Sequence, residues 1–159
     1  MANELKPIKR TKELTPLSKD HHEGLLLGWK IKQGLKNGTD ESTIAEYVKW
    51  FWNNHLDEHF REEEEILAPY LPAENSLVSR MFDEHIAIKK LALGDALKKD
   101  ALLNFAELLT DHIRFEEREL FGWAEKVLSP DDLQIIGHEI SNSRHHESPR
   151  WDNEFWLKK

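Results

Sequence analysis

The chain carries nine histidines in 159 residues and no cysteine, which leaves imidazole and carboxylate as its metal-binding donors. Two stretches repeat one pattern. His59-Phe60-Arg61-Glu62-Glu63-Glu64 and His112-Ile113-Arg114-Phe115-Glu116-Glu117 both read His-apolar-Arg-x-Glu-Glu. An acid precedes each of these histidines, Glu58 and Asp111, and the acid–His pair recurs as Asp20-His21 and Glu84-His85. Residues i and i+4 of a helix lie one turn apart on the same face. His59 with Glu63, and His112 with Glu116, would therefore each present a nitrogen and a carboxylate together. Four imidazoles and two carboxylates turned into a helical core would be costly alone, at several kcal/mol for each buried ion. Two divalent or trivalent cations would offset that cost, and imidazole plus carboxylate without thiolate suits iron, manganese or zinc.

Each part of the pattern has an ordinary reading. In a chain of this composition about one His-x-x-x-Glu is expected by chance. An isolated histidine is more often a surface or hydrogen-bonded structural residue, and the run Glu62 to Glu65 would ordinarily be a solvated face. Chance does not, however, place an acid–His pair on four successive helical segments and repeat a six-residue block on two of them. The joint pattern carries the metal reading.

The segments that must position these residues are helical. Thr15-Pro16 reads as a cap and a first-turn proline, and Leu17, Leu25, Leu26, Trp29 and Leu35 follow at helical spacing until Asn37-Gly38. A second helix follows Asp40 and carries Ile44, Tyr47, Val48, Phe51, Trp52, Leu56 and Phe60 up to Pro69 and Pro72. A third runs from about Ser76 to Leu93. A fourth begins after Asp100 and reaches Val127. Ser129-Pro130-Asp131-Asp132 opens a shorter fifth helix to about Asn142, with two acids placed for the helix dipole. No strand pattern and no phosphate-binding loop is present. The expected fold is all-α: an antiparallel up-and-down four-helix bundle with a short fifth helix and a C-terminal tail. At 1.5 Å per residue, His59 and His85 both lie roughly 14 Å from the shared end of their helices. His21 comes out at roughly 8 Å and Glu116 at roughly 18 Å, close enough for one layer given uncertain helix ends.

Composition bounds the partners. A net charge of -8 argues against nucleic acid and against a polybasic membrane anchor. No apolar run approaches 18 residues, and Met1 to Arg10 lacks the apolar core of a signal peptide. The expected organisation is a disordered N-terminal segment (1–14), a bundle (15–142) and a tail (143–159), in a cytoplasmic protein that is a monomer or homodimer. The tail includes Trp151, Phe155 and Trp156. At roughly 150–250 Å² each they carry too much apolar surface to hang free, so residues 150–157 are expected to dock on the bundle or on a second subunit.

These blocks together resemble the hemerythrin-like family, the His-His-Glu cation-binding domains. The likeness covers about residues 15–128 and rests on Leu17-Ser18-Lys19-Asp20-His21-His22-Glu23, His59 to Glu64, Asp83-Glu84-His85 and His112 to Glu117. It implies a bundle around a non-heme di-iron centre with an oxo or hydroxo bridge. Glu63 and Glu116 would bridge, and His21, His59, His85 and His112 would be terminal ligands. An oxygen-carrying member has five histidines, two of them on the third helix at i and i+4; here the residue four after His85 is Lys89. The four-histidine set is closer to members that repair iron centres, which usually carry a cysteine segment that this chain lacks. With two histidines, two carboxylates and a bridge, each octahedral iron would keep one open position. Oxygen, nitric oxide or peroxide could bind there. His22 and His55 are the near alternatives, His22 as a replacement for His21 and His55 as a fifth histidine. Trp29, Trp52 and Phe115 are expected in the core as a dry wall, His138 at the surface or behind a ligand, and His145-His146 as a flexible pair. Two functions follow: a module that binds or senses a small molecule or iron, or an oxidoreductase that reduces peroxide or repairs iron centres. A structural zinc bundle is a third.

Overall fold

The computed structural model describes residues 9–95, 98–144 and 149–157. The described chain is helical throughout, in five rods. α1 is Thr15–Lys36. α2 spans residues 41–70 without a break in helical dihedrals, α3 is Ser76–Ala92, α4 spans residues 99–127, and α5 is Pro130–Ser143. The first four rods form the antiparallel up-and-down bundle and α5 is the short addition. Among the described residues no helix is long and apolar enough to cross a membrane.

Local chemistry accounts for the ends. Asn75 caps α3 by accepting from the Leu77 N–H, and Ser129 caps α5 by accepting from the Asp132 N–H. Thr15 and Asp40, read as caps from the sequence, make no such bond. Gly38 adopts φ +79° just past α1, a left-handed conformation that glycine enters without penalty. α1 and α4 approach closely because α1 has glycine at the contact. A Cβ at Gly24 would lie 2.6 Å from the Ile113 side chain.

Two rods are interrupted by wider π turns, at Trp52–Leu56 and Glu63–Leu67 in α2 and at Glu116–Leu120 in α4. The cause is visible in the inward residues. Ile44, Val48, Trp52, Leu56 and Phe60 are all buried, and so are His112, Glu116, Leu120 and Ala124. Both series step by four. A 3.6-residue helix drifts about 40° with each such step, so a strict four-residue series would spiral out of the core. A wider turn takes that drift back. Two of the π turns begin at Glu63 and Glu116 themselves, where the Glu63 and Glu116 carbonyls accept from the N–H five residues on.

Two apolar clusters fill the bundle. One contains Leu27, Ile31, Ile44, Val48, Ile88, Phe105 and Leu109; the other contains Leu17, Leu67, Met81, Leu120, Phe121 and Ile136. On each of the first four rods an inward histidine or glutamate falls between the residues of one cluster and those of the other. The polar layer is thus sealed above and below by hydrocarbon.

Part of the segment expected to be disordered, residues 1–14, is placed on the bundle, and the tail lies against α1 and α2. Residues 1–8 lie outside the described residues, whereas 9–14 are packed: Leu14 is fully buried and Arg10 pairs with α4. In the tail, Phe155 is buried beneath Gly34, where a Cβ would meet its ring at 2.6 Å. Trp151 and Trp156 lie against Tyr47, with ring centroids 5.1 and 5.4 Å away. His145-His146 fall outside the described residues.

Candidate metal centre

Six side chains meet in the polar layer: His21 from α1, His59 and Glu63 from α2, His85 from α3, and His112 and Glu116 from α4. All six are buried, and the two glutamates are 0% exposed. They form two groups that share both carboxylates. One is His21, His59, Glu63 and Glu116; the other is His85, His112, Glu63 and Glu116. Within each group the donor atoms lie within 4.8 Å of one another, a spacing that could hold one metal ion per group.

The carboxylate oxygens are divided between the groups. Glu63 Oε2 is 3.2 Å from His59 Nε2, and its Oε1 is 2.9 Å from His85 Nε2. Glu116 Oε1 is 2.8 Å from His21 Nε2, and its Oε2 is 3.1 Å from His112 Nε2. Both oxygens of Glu63, one of Glu116, and Nε2 of His59, His85 and His112 are buried without an aligned hydrogen-bond partner. Orphaned buried donors and acceptors are rare in folded proteins. A set of them converging from four helices is what a cation would satisfy, so the residues fit a metal. In the metal-free chain, protons supply part of the positive charge. Burial works against charging these histidines, but the facing glutamates prevail. His59 and His85 are held well above the usual imidazole range and His112 is raised to about 9. Burial opposes the Glu116 carboxylate as well, and the surrounding imidazoles hold it well below the usual carboxylate range.

The family model for the hemerythrin HHE cation-binding domain matches residues 19–124, about two-thirds of the chain. The chain belongs to this family. No curated protein and no solved structure matches it.

Around the centre of this hemerythrin domain lies a second ring of carboxylates that the sequence reading missed. The Nδ1 of each inward histidine meets an acid from a neighbouring helix. His59 pairs with Asp20 of α1 at 2.9 Å, His85 with Glu64 of α2 at 2.6 Å, His112 with Glu84 of α3 at 2.7 Å, and His21 with Glu117 of α4 at 2.6 Å. Each rod thus orients the histidine of the next, and the ring closes on itself. Such a partner fixes ring orientation and leaves Nε2 as the inward donor. The acid–His pairs noted in the sequence therefore do a different task from the one their adjacency suggests. Asp20 and Glu84 serve a histidine on the next helix, not the one beside them. Glu62, read as part of a solvated run, is buried and held by Arg144 and Ser143 from the end of α5.

Several other expectations are settled by position. His22 is exposed, and His55 belongs to neither donor group. The His55 ring packs on Trp50 and Phe51, at 5.4 and 4.9 Å between centroids. Trp52 and Phe115 are buried as expected, but Trp29 is 49% exposed on the outer face of α1. The dry wall is made instead by Phe60, stacked on His85 at 3.8 Å, and Phe121, stacked on His21 at 5.3 Å. His138 is exposed on α5.

A cavity of about 180 Å³ opens beside the centre, between α1, α2 and α4. His21, His59 and His112 line it together with apolar Phe51, Leu56, Leu109 and Ile113, and Asp20, Glu62 and Arg144 stand at one side. His85 does not reach it. Both histidines of one group and one of the other therefore line it.

Proposed function

We propose that this hemerythrin domain holds two non-heme iron ions, and that it binds or responds to a small molecule such as dioxygen, nitric oxide or peroxide. His21 and His59 would hold one ion, His85 and His112 the other, and Glu63 and Glu116 would bridge. The observation that supports this best is the division of carboxylate oxygens, since each glutamate turns one oxygen toward each histidine pair. A mononuclear site would not need both oxygens of both glutamates. The all-nitrogen-and-oxygen donor set suits iron, and iron so held supplies reversible redox change and an open position for a small ligand.

The residues around the site favour small ligands. The cavity, at about 180 Å³, is below the roughly 300–1,000 Å³ typical of pockets for drug-sized molecules. Its lining is mixed, with apolar Phe51, Leu56, Leu109 and Ile113 beside charged Asp20, Glu62 and Arg144, while Phe60 and Phe121 cover two of the imidazole faces. Because both His21 and His59 line the cavity, against His112 alone of the other pair, the ligand would meet the His21/His59 ion first.

Anaerobic reconstitution with ferrous iron, followed by elemental analysis and an optical spectrum on exposure to air, tests the reading. Two irons per chain and a new near-ultraviolet or visible band on oxidation are expected. One ion per chain, or full occupancy by zinc alone with iron rejected, would overturn it.

A further inference from the structure

The two histidine pairs are supported differently. Behind His21 stands Glu117, and behind Glu117 stands Arg10, from the segment that precedes α1. The Arg10 side chain is only 6% exposed. Its Nη2 donates to the Glu117 carbonyl at 2.8 Å and lies 3.4 Å from the Glu117 carboxylate, and its Nη1 donates to Glu125 at 2.9 Å. Its guanidinium also faces the Phe121 ring, which in turn stacks on His21.

Behind His59 stands Asp20, and behind Asp20 stands Arg144, the residue that follows α5. Arg144 grips two carboxylates at once in forked geometry. Nη1 and Nη2 donate to Asp20 at 3.2 and 2.6 Å, while Nε and Nη2 donate to Glu62 at 3.0 and 2.6 Å. The Asp20 oxygen bonded to Nη2 also accepts from His59 Nδ1. Paired forks of this kind fix geometry as well as charge.

The other pair lacks such anchors. Glu84, behind His112, is bonded by Arg80 of its own helix, an exposed i,i+4 contact of the kind that contributes little. Glu64, behind His85, has no arginine or lysine partner among the described residues. Arg10 and Arg144 both lie outside the span that matches the family model, and each reaches across more than a hundred residues to its partner.

We infer that Arg10 and Arg144 are positioning residues for one ion only, the His21/His59 ion beside the cavity. The segments flanking the family domain thereby form a clamp that sets how firmly that ion is held. This rests on the two-ion reading proposed above. Loss of the carboxylates behind metal-binding histidines typically weakens metal affinity 10- to 100-fold, and loss of the arginine that fixes such a carboxylate should act through the same partner. Release of either flank would then produce a half-loaded centre, losing the ion whose two histidines both line the cavity.

The test is anaerobic titration of ferrous iron into the full chain against a competing chelator. R10Q, R144Q and the double variant are compared with wild type, and circular dichroism of the metal-free proteins checks helix content. The unaltered chain should bind two ions. Each single variant should weaken one ion by roughly 10-fold or more while the other stays within about 2-fold. The double variant should still keep one ion tight, because both arginines serve the same ion. R144K, which keeps the charge but loses the fork, should recover only part of the affinity. R144Q added to D20N should cost nothing further at that ion, since Arg144 acts there through Asp20. E64Q with E84Q should weaken the opposite ion. If the double variant loses both ions, weakens both equally, or binds both as tightly as wild type, the clamp is wrong. Should R10Q reduce helix content, R144Q with D20N decides the matter alone, and a full additive loss in that pair overturns the inference. A wild-type chain that binds a single ion refutes the two-ion reading instead, and is recognised before any variant is made.

Discussion

Loading metal should expel protons in a number close to the charge that enters. In the metal-free chain burial opposes charging the four inward histidines, yet all are raised above the ordinary imidazole value of 6.5, with His112 at about 9, because Glu116, with Glu63 at His59 and His85 and the acid behind each ring, overcomes it. At pH 6.5 each is therefore more than half protonated. A metal needs the neutral Nε2, so filling both positions with divalent ions should release more than two protons and up to about four. Four departing protons and two arriving divalent cations carry the same charge, which leaves the buried glutamates as well balanced afterwards as before. For His112 alone, removing a proton bound at about 9 costs about 3 kcal/mol at pH 6.5, which the new bonds must exceed. Calorimetric titration with ferrous iron in two anaerobic buffers of different ionisation heat counts the protons. Apparent affinity should climb with pH from 6.5 through about 9, where His112 gives up its proton. Release of fewer than two protons would mean that the histidines are neutral beforehand, and that the charge coupling between imidazoles and glutamates is misjudged.

Other consequences are open to simpler measurements. Glu63→Ala or Glu116→Ala should lose more metal, by elemental analysis, than Glu64→Ala or Glu117→Ala, since only the first two face both histidine pairs; equal losses would defeat the bridging assignment. The metal-free protein should show a melting temperature that falls as pH rises from 6.5 through about 9. A raised histidine stabilises the fold fully below its unfolded value, and loses that contribution on passing its folded one. At the acid end, Asp20, Glu84 and Glu117 are held below the usual carboxylate range by their histidine and arginine partners, against the effect of burial. Their contribution should be lost as pH falls below about 4, which urea unfolding at several pH values would show. Gly34→Ala should drive the Phe155 ring out of its seat, at a cost of about 1–3 kcal/mol, with a red shift of tryptophan emission as Trp151 and Trp156 gain water. An unchanged spectrum and melting temperature would mean that the tail is not seated beneath α1.

Local periodicity in the sequence was enough for the four long helices, the short fifth, and the His59/Glu63 and His112/Glu116 pairs, whereas His21 and His85 came from the acid–His pattern and the family resemblance, with His22 left as an alternative to His21. A histidine and a glutamate four residues apart must share a face wherever the helix goes, and His59, Glu63, His112 and Glu116 did so. The π turns were not read from the sequence, because Tyr47 and Phe51 are buried beside the four-residue series from Ile44 to Phe60 and give that stretch an ordinary helical period. Which acid orients which histidine was a matter for the tertiary structure. Neighbours i and i+1 point about 100° apart on a helix, so Asp20 turns from His21 toward His59, and Glu84 turns from His85 toward His112. Periodicity placed Trp29 on the apolar stripe of α1, but it stands half exposed there. Arg10 lies 107 residues from Glu117, and Arg144 lies 124 from Asp20 and 82 from Glu62, and no spacing rule joins them. Local pattern fixes which way a side chain faces along its own helix, whereas partners across helices depend on rotation, height and approach, which only the packed bundle sets.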